Sequence, residues 1–128
     1  MGGINLSSVI KGGLLAGLLI NVSEYILNMY VVPIGGDDAG GSIAVWVVYA
    51  FVLGLLIAWM VAALRPRFGS GPKEAMCAGV TVWILHTLLP AIGVANMGLM
   101  DFNVLALVWT LVEMGLAGAI AGHFYSED

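Results

Sequence analysis

The chain has 128 residues, 61% of them hydrophobic and 9% charged, with a net charge of −4 and a mean hydropathy of +1.03. An ordinary soluble domain holds about 25% charged residues, and a soluble fold this short has too much surface for its volume to hide so much apolar side chain. Length allows a single domain over 1–128, and the scarcity of basic residues, with no stripe of them between aromatics, excludes a nucleic-acid partner.

Residues 1–8 carry no positive charge and precede no short apolar core with a small-residue cleavage site, so the first apolar stretch reads as a retained span rather than a secretory signal. Four stretches are long enough to cross about 30 Å of hydrocarbon at about 1.5 Å per residue. The first covers about 12–32 and is stopped by Pro33 and the glycine- and aspartate-rich turn at 35–41. The second covers about 43–64, with Ser42 as its expected N-cap, and the run Arg65-Pro66-Arg67-Phe68-Gly69-Ser70-Gly71 is expected to break it. Pro72 suits the first turn of a third span over about 73–95, where Glu74 is favourable against the helix dipole and Pro90 predicts a kink or an early end. The fourth covers about 102–124, with Asp101 as expected N-cap.

These runs are too long and too uniformly apolar for strands, and short loops make successive helices antiparallel neighbours. The expected fold is therefore all-α: a polytopic membrane protein, a four-transmembrane-helix bundle running up-down-up-down. Lys11 precedes the first span, while Arg65, Arg67 and Lys73 lie between the second and third. With four spans these regions share one side, which the positive-inside rule makes cytoplasmic, with both chain ends on it. The acidic residues Asp37, Asp38 and Asp101 then face outward. Tyr30 and Trp46 are expected in the outer aromatic belt, and Trp59, Phe68 and Tyr125 in the inner one. Small residues recur at four-residue spacing in Gly13/Gly17, Gly54/Ala58, Ala75/Gly79 and Gly118/Gly122. They serve either the bundle's own packing or a partner helix. Cys77 stands alone, so no internal disulfide is possible. It reads as a small apolar filler, with palmitoylation as the alternative.

Ionisable residues inside the spans are the candidate site. Asn21, Glu24 and Asn28 share one helix face by the i, i+3, i+7 rule. Glu24, His86 and Glu113 fall near mid-span on the first, third and fourth stretches. Charged carboxylates there cost several kcal/mol, so these groups are expected to meet each other or a partner, keeping a proton or facing a protonated His86. Glu113 is the expected hub. The cluster reads first as a structural device fixing helix register, second as a proton or ion pathway, and third as a place for a haem or pigment on His86.

Particular chemistries can be weighed by spacing. His123 lies roughly 15 Å of helix rise beyond Glu113 at about 1.5 Å per residue, so one chain cannot clamp a haem between His86 and His123. No zinc-protease or paired-cysteine pattern, nucleophile elbow or phosphate loop occurs, so no metal and no catalytic residue is expected.

The run 12–28, the turn Arg65-Pro66-Arg67-Phe68-Gly69, and Val108-Trp109-Thr110-Leu111-Val112-Glu113 with the small-residue run to Tyr125 resemble helices of small four-helix bacterial inner-membrane proteins. The resemblance implies the same topology and a bacterial cytoplasmic membrane. It singles out Asn21, Glu24 and Glu113 but implies no activity. The expected function is a non-enzymatic, multi-pass structural or accessory subunit, without a cofactor, in contact with lipid and packing as a homo-oligomer or in a larger membrane complex. The alternatives are a small proton- or ion-conducting transport protein using Glu24, His86 and Glu113, and a cofactor-binding membrane subunit.

Overall fold

The computed structural model describes residues 4–31, 43–69, 71–98 and 103–126, without the side chains of residues 28, 31, 43, 68 and 72. Helix α1 (Leu6–Ile26) continues as a π-helical stretch, Leu27–Val31. It begins well before the expected start near residue 12 because Asn5 caps it, its side chain accepting from the Ser8 amide at 3.3 Å.

Helix α2 (Ile43–Phe68) also outruns expectation. Pro66 does not break it. The proline falls in the last turn, where few further hydrogen bonds remain to be lost. The helix ends instead at Gly69, whose left-handed φ of +80° lets its amide close on the Arg65 carbonyl at 2.8 Å.

Helix α3 (Pro72–Trp83) passes through a π-helical stretch (Ile84–Leu88) into α4 (Leu89–Asn96). The wider turn, in which the Leu89 amide donates to the Ile84 carbonyl, gives the ring of Pro90 room, so the rod carries on through the proline. Helix α5 (Val104–Phe124) starts at Asn103, whose side chain accepts from the Ala106 amide at 3.0 Å. The caps expected at Ser42 and Asp101, and the loop residues Asp37 and Asp38, lie outside the described residues.

Among the described residues, four helical rods are long and apolar enough to cross a membrane: Leu6–Ile26, Ala44–Arg67, Lys73–Asn96 and Val104–Phe124. Their contacts run in opposite sequence directions, which makes sequential neighbours antiparallel. Gly13 meets Leu55 and Gly17 meets Phe51; Gly79 meets Met114 and Gly118 meets Ala75. Helices α1 and α5 close the ring, Gly12 lying on the backbone of Ala121 and Ser23 facing Trp109.

All four small-residue pairs contribute to these internal seams. A methyl group added at Gly54 would fall on the Gly13 carbonyl and the Gly17 amide, and one at Gly79 on the Met114 carbonyl. Where the surrounding solvent is itself apolar, as these rods suit, such close backbone approach with its dispersion contacts is what holds helices together.

The core is concentrated toward the end carrying Lys11 and Arg65, called here the basic end. Ala16, Ile20, Ile57, Ala58, Val61, Met114, Ala117 and Ala121 are sealed there. The other end, called the far end, is loosely built: residues 44–49 of α2 are all exposed and α4 buries none of its side chains.

Tyr30, Trp46 and Trp59 are exposed on the bundle surface, where belt residues belong. Tyr125 is not among them. It is buried beneath Arg65, since a tyrosine at this helix end satisfies its hydroxyl and ring inside the bundle. Cys77 is exposed rather than a buried filler, because α3 turns Ala75, Ala78 and Gly79 inward and its neighbouring face outward.

The seams predict a sharp contrast between glycines. Gly79→Ala should lower stability by about 1–3 kcal/mol through overpacking. Gly115→Ala, with open space at its Cβ, should be neutral or raise it by about 0.5–1 kcal/mol through helix propensity. Unfolding midpoints of both variants in mixed micelles check this, and equal effects would contradict the seam.

Candidate functional site

Polar side chains gather at two levels. At the basic end Arg65 ties three helices together. Its Nε and Nη2 donate to Oε1 of Glu74 at 3.3 and 3.1 Å, Nη2 also donates to the Gly122 carbonyl at 3.0 Å, and Nη1 donates to the Tyr125 carbonyl at 2.9 Å. The guanidinium lies 5.0 Å from the centre of the Tyr125 ring. It thus caps the last turn of α5, where unpaired carbonyls and the dipole favour a cation, while pairing with the first turn of α3. Glu74 is fully buried and Arg65 is 13% exposed.

The start of α1 joins the same knot. The Asn5 amide donates to the Tyr125 hydroxyl at 3.1 Å, and Asn5 Nδ2 donates to the Ser126 carbonyl at 2.7 Å. Lys11 stands 5.5 Å from the Phe124 ring, and His123 is exposed with its ring edge-on to Phe124. The sequence reading saw Arg65 only as a topology signal and Glu74 only as a dipole partner. Their separation by nine residues across a proline-containing turn was the signal available for pairing them.

Deeper in the bundle, α1 and α5 bring Glu24 and Glu113 face to face, with Glu113 also approaching the Ser23 hydroxyl. The approach stops short of good hydrogen bonding: both carboxyl oxygens of Glu113 and Oε2 of Glu24 are buried without a hydrogen-bond partner among the described residues. Glu113 is 3% exposed. Above it, Trp109 Nε1 donates to Ser23 Oγ at 3.0 Å. On the other side of α5, Trp83 Nε1 donates to Thr110 Oγ1 at 3.1 Å and to the Leu107 carbonyl at 3.2 Å. Because α1 starts at Leu6, Glu24 sits beyond the middle of its helix rather than at it.

The other candidates separate from this pair. Asn21 donates to the Gly17 carbonyl of its own helix at 3.1 Å and to the Val47 carbonyl of α2 at 3.4 Å, so it helps join α1 to α2. Asn28 falls on the π-helical stretch after α1, with its side chain outside the described residues. The described contacts of His86 lead away from the carboxyls. Nδ1 meets the Thr87 hydroxyl at 3.2 Å, and the ring packs 5.2 Å from that of Tyr49 on α2. With Leu53, Leu56, Trp59, Met60, Val82 and Leu85 it lines an apolar groove of about 320 Å³ between α2 and α3. The π-helical stretch that carries His86 explains the turn away, since a widened turn re-aims the side chains on it.

No group of three or more metal-binding side chains occurs among the described residues. Fold and site together define a four-helix bundle of membrane-crossing length with one ion-paired end and one buried carboxyl pair. Compared with known protein families, curated proteins and solved structures, the chain finds no match.

The Arg65 knot yields a double-mutant test. Arg65→Met should destabilise by about 3–5 kcal/mol because it strands a buried Glu74 charge. Adding Glu74→Met should restore much of the loss, measured as the unfolding midpoint of the two single variants and the double. Independent, additive losses would contradict the pairing.

Proposed function

We propose that this protein is a non-enzymatic, membrane-spanning structural or accessory subunit, with both chain ends and all four basic residues on the cytoplasmic side. The observation that carries the subunit reading is the uneven packing. At the far end residues 44–49 of α2 are all exposed and α4 buries no side chain fully, although the core toward the basic end is sealed. A bundle packed less tightly toward one end gains from neighbours there, and exposed apolar surface of this kind suits a second copy or a larger membrane protein. The seams cannot serve that contact, since their glycines are occupied inside the bundle.

The orientation rests on the segregation of Lys11, Arg65, Arg67 and Lys73 to one end. Inside this assembly the Arg65 knot and the facing carboxyls set the register of α1, α3 and α5. A conducting pathway through one chain has less support, because close-packed alanine, isoleucine and methionine separate the carboxyl pair from the basic end.

Two measurements test this reading. With Cys77 replaced by alanine, cysteines introduced at Lys73 and at Asn103 should react with a membrane-impermeant maleimide from opposite sides, Lys73→Cys only from the cytoplasm. Reaction from the same side would refute the topology. Native mass in mild detergent should exceed one chain, as a homo-oligomer or with a co-purifying membrane protein. A strictly monomeric particle at all detergent loads would remove the subunit assignment.

A further inference from the structure

Helices α1 and α5 bring together the carboxyls of Glu24 and Glu113 with no cation opposite among the described residues. From α1 the pair comprises Glu24, beside Ser23. The charged groups of α2, Arg65 and Arg67, stand at the basic end, and its Tyr49 packs on His86. On α3, Lys73, Glu74 and Cys77 belong to the first two turns, and His86 beyond it turns to Tyr49 and Thr87. On α5 itself His123 is exposed at the last turn. Two adjacent carboxylates without a cation cannot both stay ionised in an apolar interior, so the pair holds at least one proton.

The pair is also staggered. The contacts of Gly12 with Ala121 and of Ser23 with Trp109 fix the register of α1 against α5. On that register Glu24 stands about one turn nearer the far end than Glu113. Exposure follows the same order, Glu24 being partly exposed and Glu113 sealed at 3%. Between Glu113 and the basic end lie Ala16, Ile20, Met114, Ala117 and Ala121, each no more than 1% exposed. Such a plug offers water no polar partner. Toward the far end the same interface carries the Ser23 hydroxyl and Trp109 Nε1, and Glu24 keeps part of its surface open.

We propose that Glu24 and Glu113 form a proton-exchange site open only to the far end of the bundle, with Glu24 as its outer and Glu113 as its inner group. The proton leaves for water at the far end and returns by the same route, so none crosses the bilayer. Both oxygens of Glu113 are buried without a hydrogen-bond partner among the described residues, so no protein donor competes with a proton for them. The inference goes beyond the subunit reading and stands apart from it, since a monomer could carry the same site.

A hydrophobic carbodiimide tests it on the full chain in proteoliposomes. The reagent adds only to a protonated carboxyl: the acid proton passes to one carbodiimide nitrogen, the carboxyl oxygen bonds to the central carbon, and the acyl group then shifts to nitrogen. The stable N-acylurea retains the whole reagent, so mass spectrometry maps it to a residue. The expected result is an adduct on Glu113 or Glu24 whose rate falls several-fold when the pH on the far side is raised. It should stay unchanged when only the pH on the Lys73 side is raised. Glu113→Gln should confine any adduct to Glu24, with an unchanged helical circular-dichroism spectrum. No adduct on either residue, a rate that follows the Lys73 side, or a rate indifferent to pH on both sides would each overturn the proposal.

Discussion

Gly54 presses its backbone against the Gly13 carbonyl and the Gly17 amide, and Gly79 does the same against Met114. In lipid, association has to come from packing and hydrogen bonding, because apolar surface gains little by leaving an apolar solvent. Side chains at these positions would hold the axes apart and forfeit the dispersion contacts along the seams. The close approach also decides what polar groups can reach. Arg65 spans from Glu74 to carbonyls of α5 only because α2, α3 and α5 converge at the basic end, and Glu24 meets Glu113 only because α1 lies on α5.

The two polar levels balance their costs differently. Arg65 offsets its burial with four hydrogen bonds and a tyrosine face, and it neutralises Glu74. An arginine fork satisfies several acceptors at once, which a lysine at the same place would not do. The carboxyl pair has no such cation. Its neutralisation has to come from a proton, and its oxygens remain unmatched. Both levels leave carboxyl oxygens without a partner among the described residues, Oε2 of Glu74 included, so what separates them is the cation that only one of them has.

Much of the architecture was legible in the amino acids. Long apolar runs, the proline at 72 and the basic residues on two same-side stretches define four helices and their alternation. Helix ends were less legible because they depend on single caps: Asn5 extends α1 by more than a turn, and α2 runs on through the start of its breaking run to stop at Gly69. The spacing of small residues pointed to seams without saying which helices share them. The carboxyls of Glu24 and Glu113 could be placed near one another by counting, but His86 could not be aimed. Its direction depends on the π-helical stretch, and nothing in the run Ile84-Leu85-His86-Thr87-Leu88 announces that except the proline two residues beyond. Tyr125 was misassigned to the lipid interface because aromatic residues at helix ends look alike until their hydrogen bonds are known. Its bonds reach from Asn5 near the start of the sequence and Arg65 near its middle.

The widened turn before Pro90 has a consequence for how this rod tolerates change in length. A π-helical stretch is an α-helix that has absorbed one residue too many. Everything from Leu89 onward is therefore offset by one position, roughly 100° of rotation, from the phase set at Pro72. Loss of a single residue between 84 and 88 would return the segment to ordinary α geometry and preserve both flanking phases, placing the strain on Pro90 alone. Loss of a residue from α3, whose Ala75 and Gly79 interlock with α5, would throw the seam out of phase. This rod thus contains a place where its length can be edited with little cost to the packing on either side, and it coincides with the histidine that faces α2.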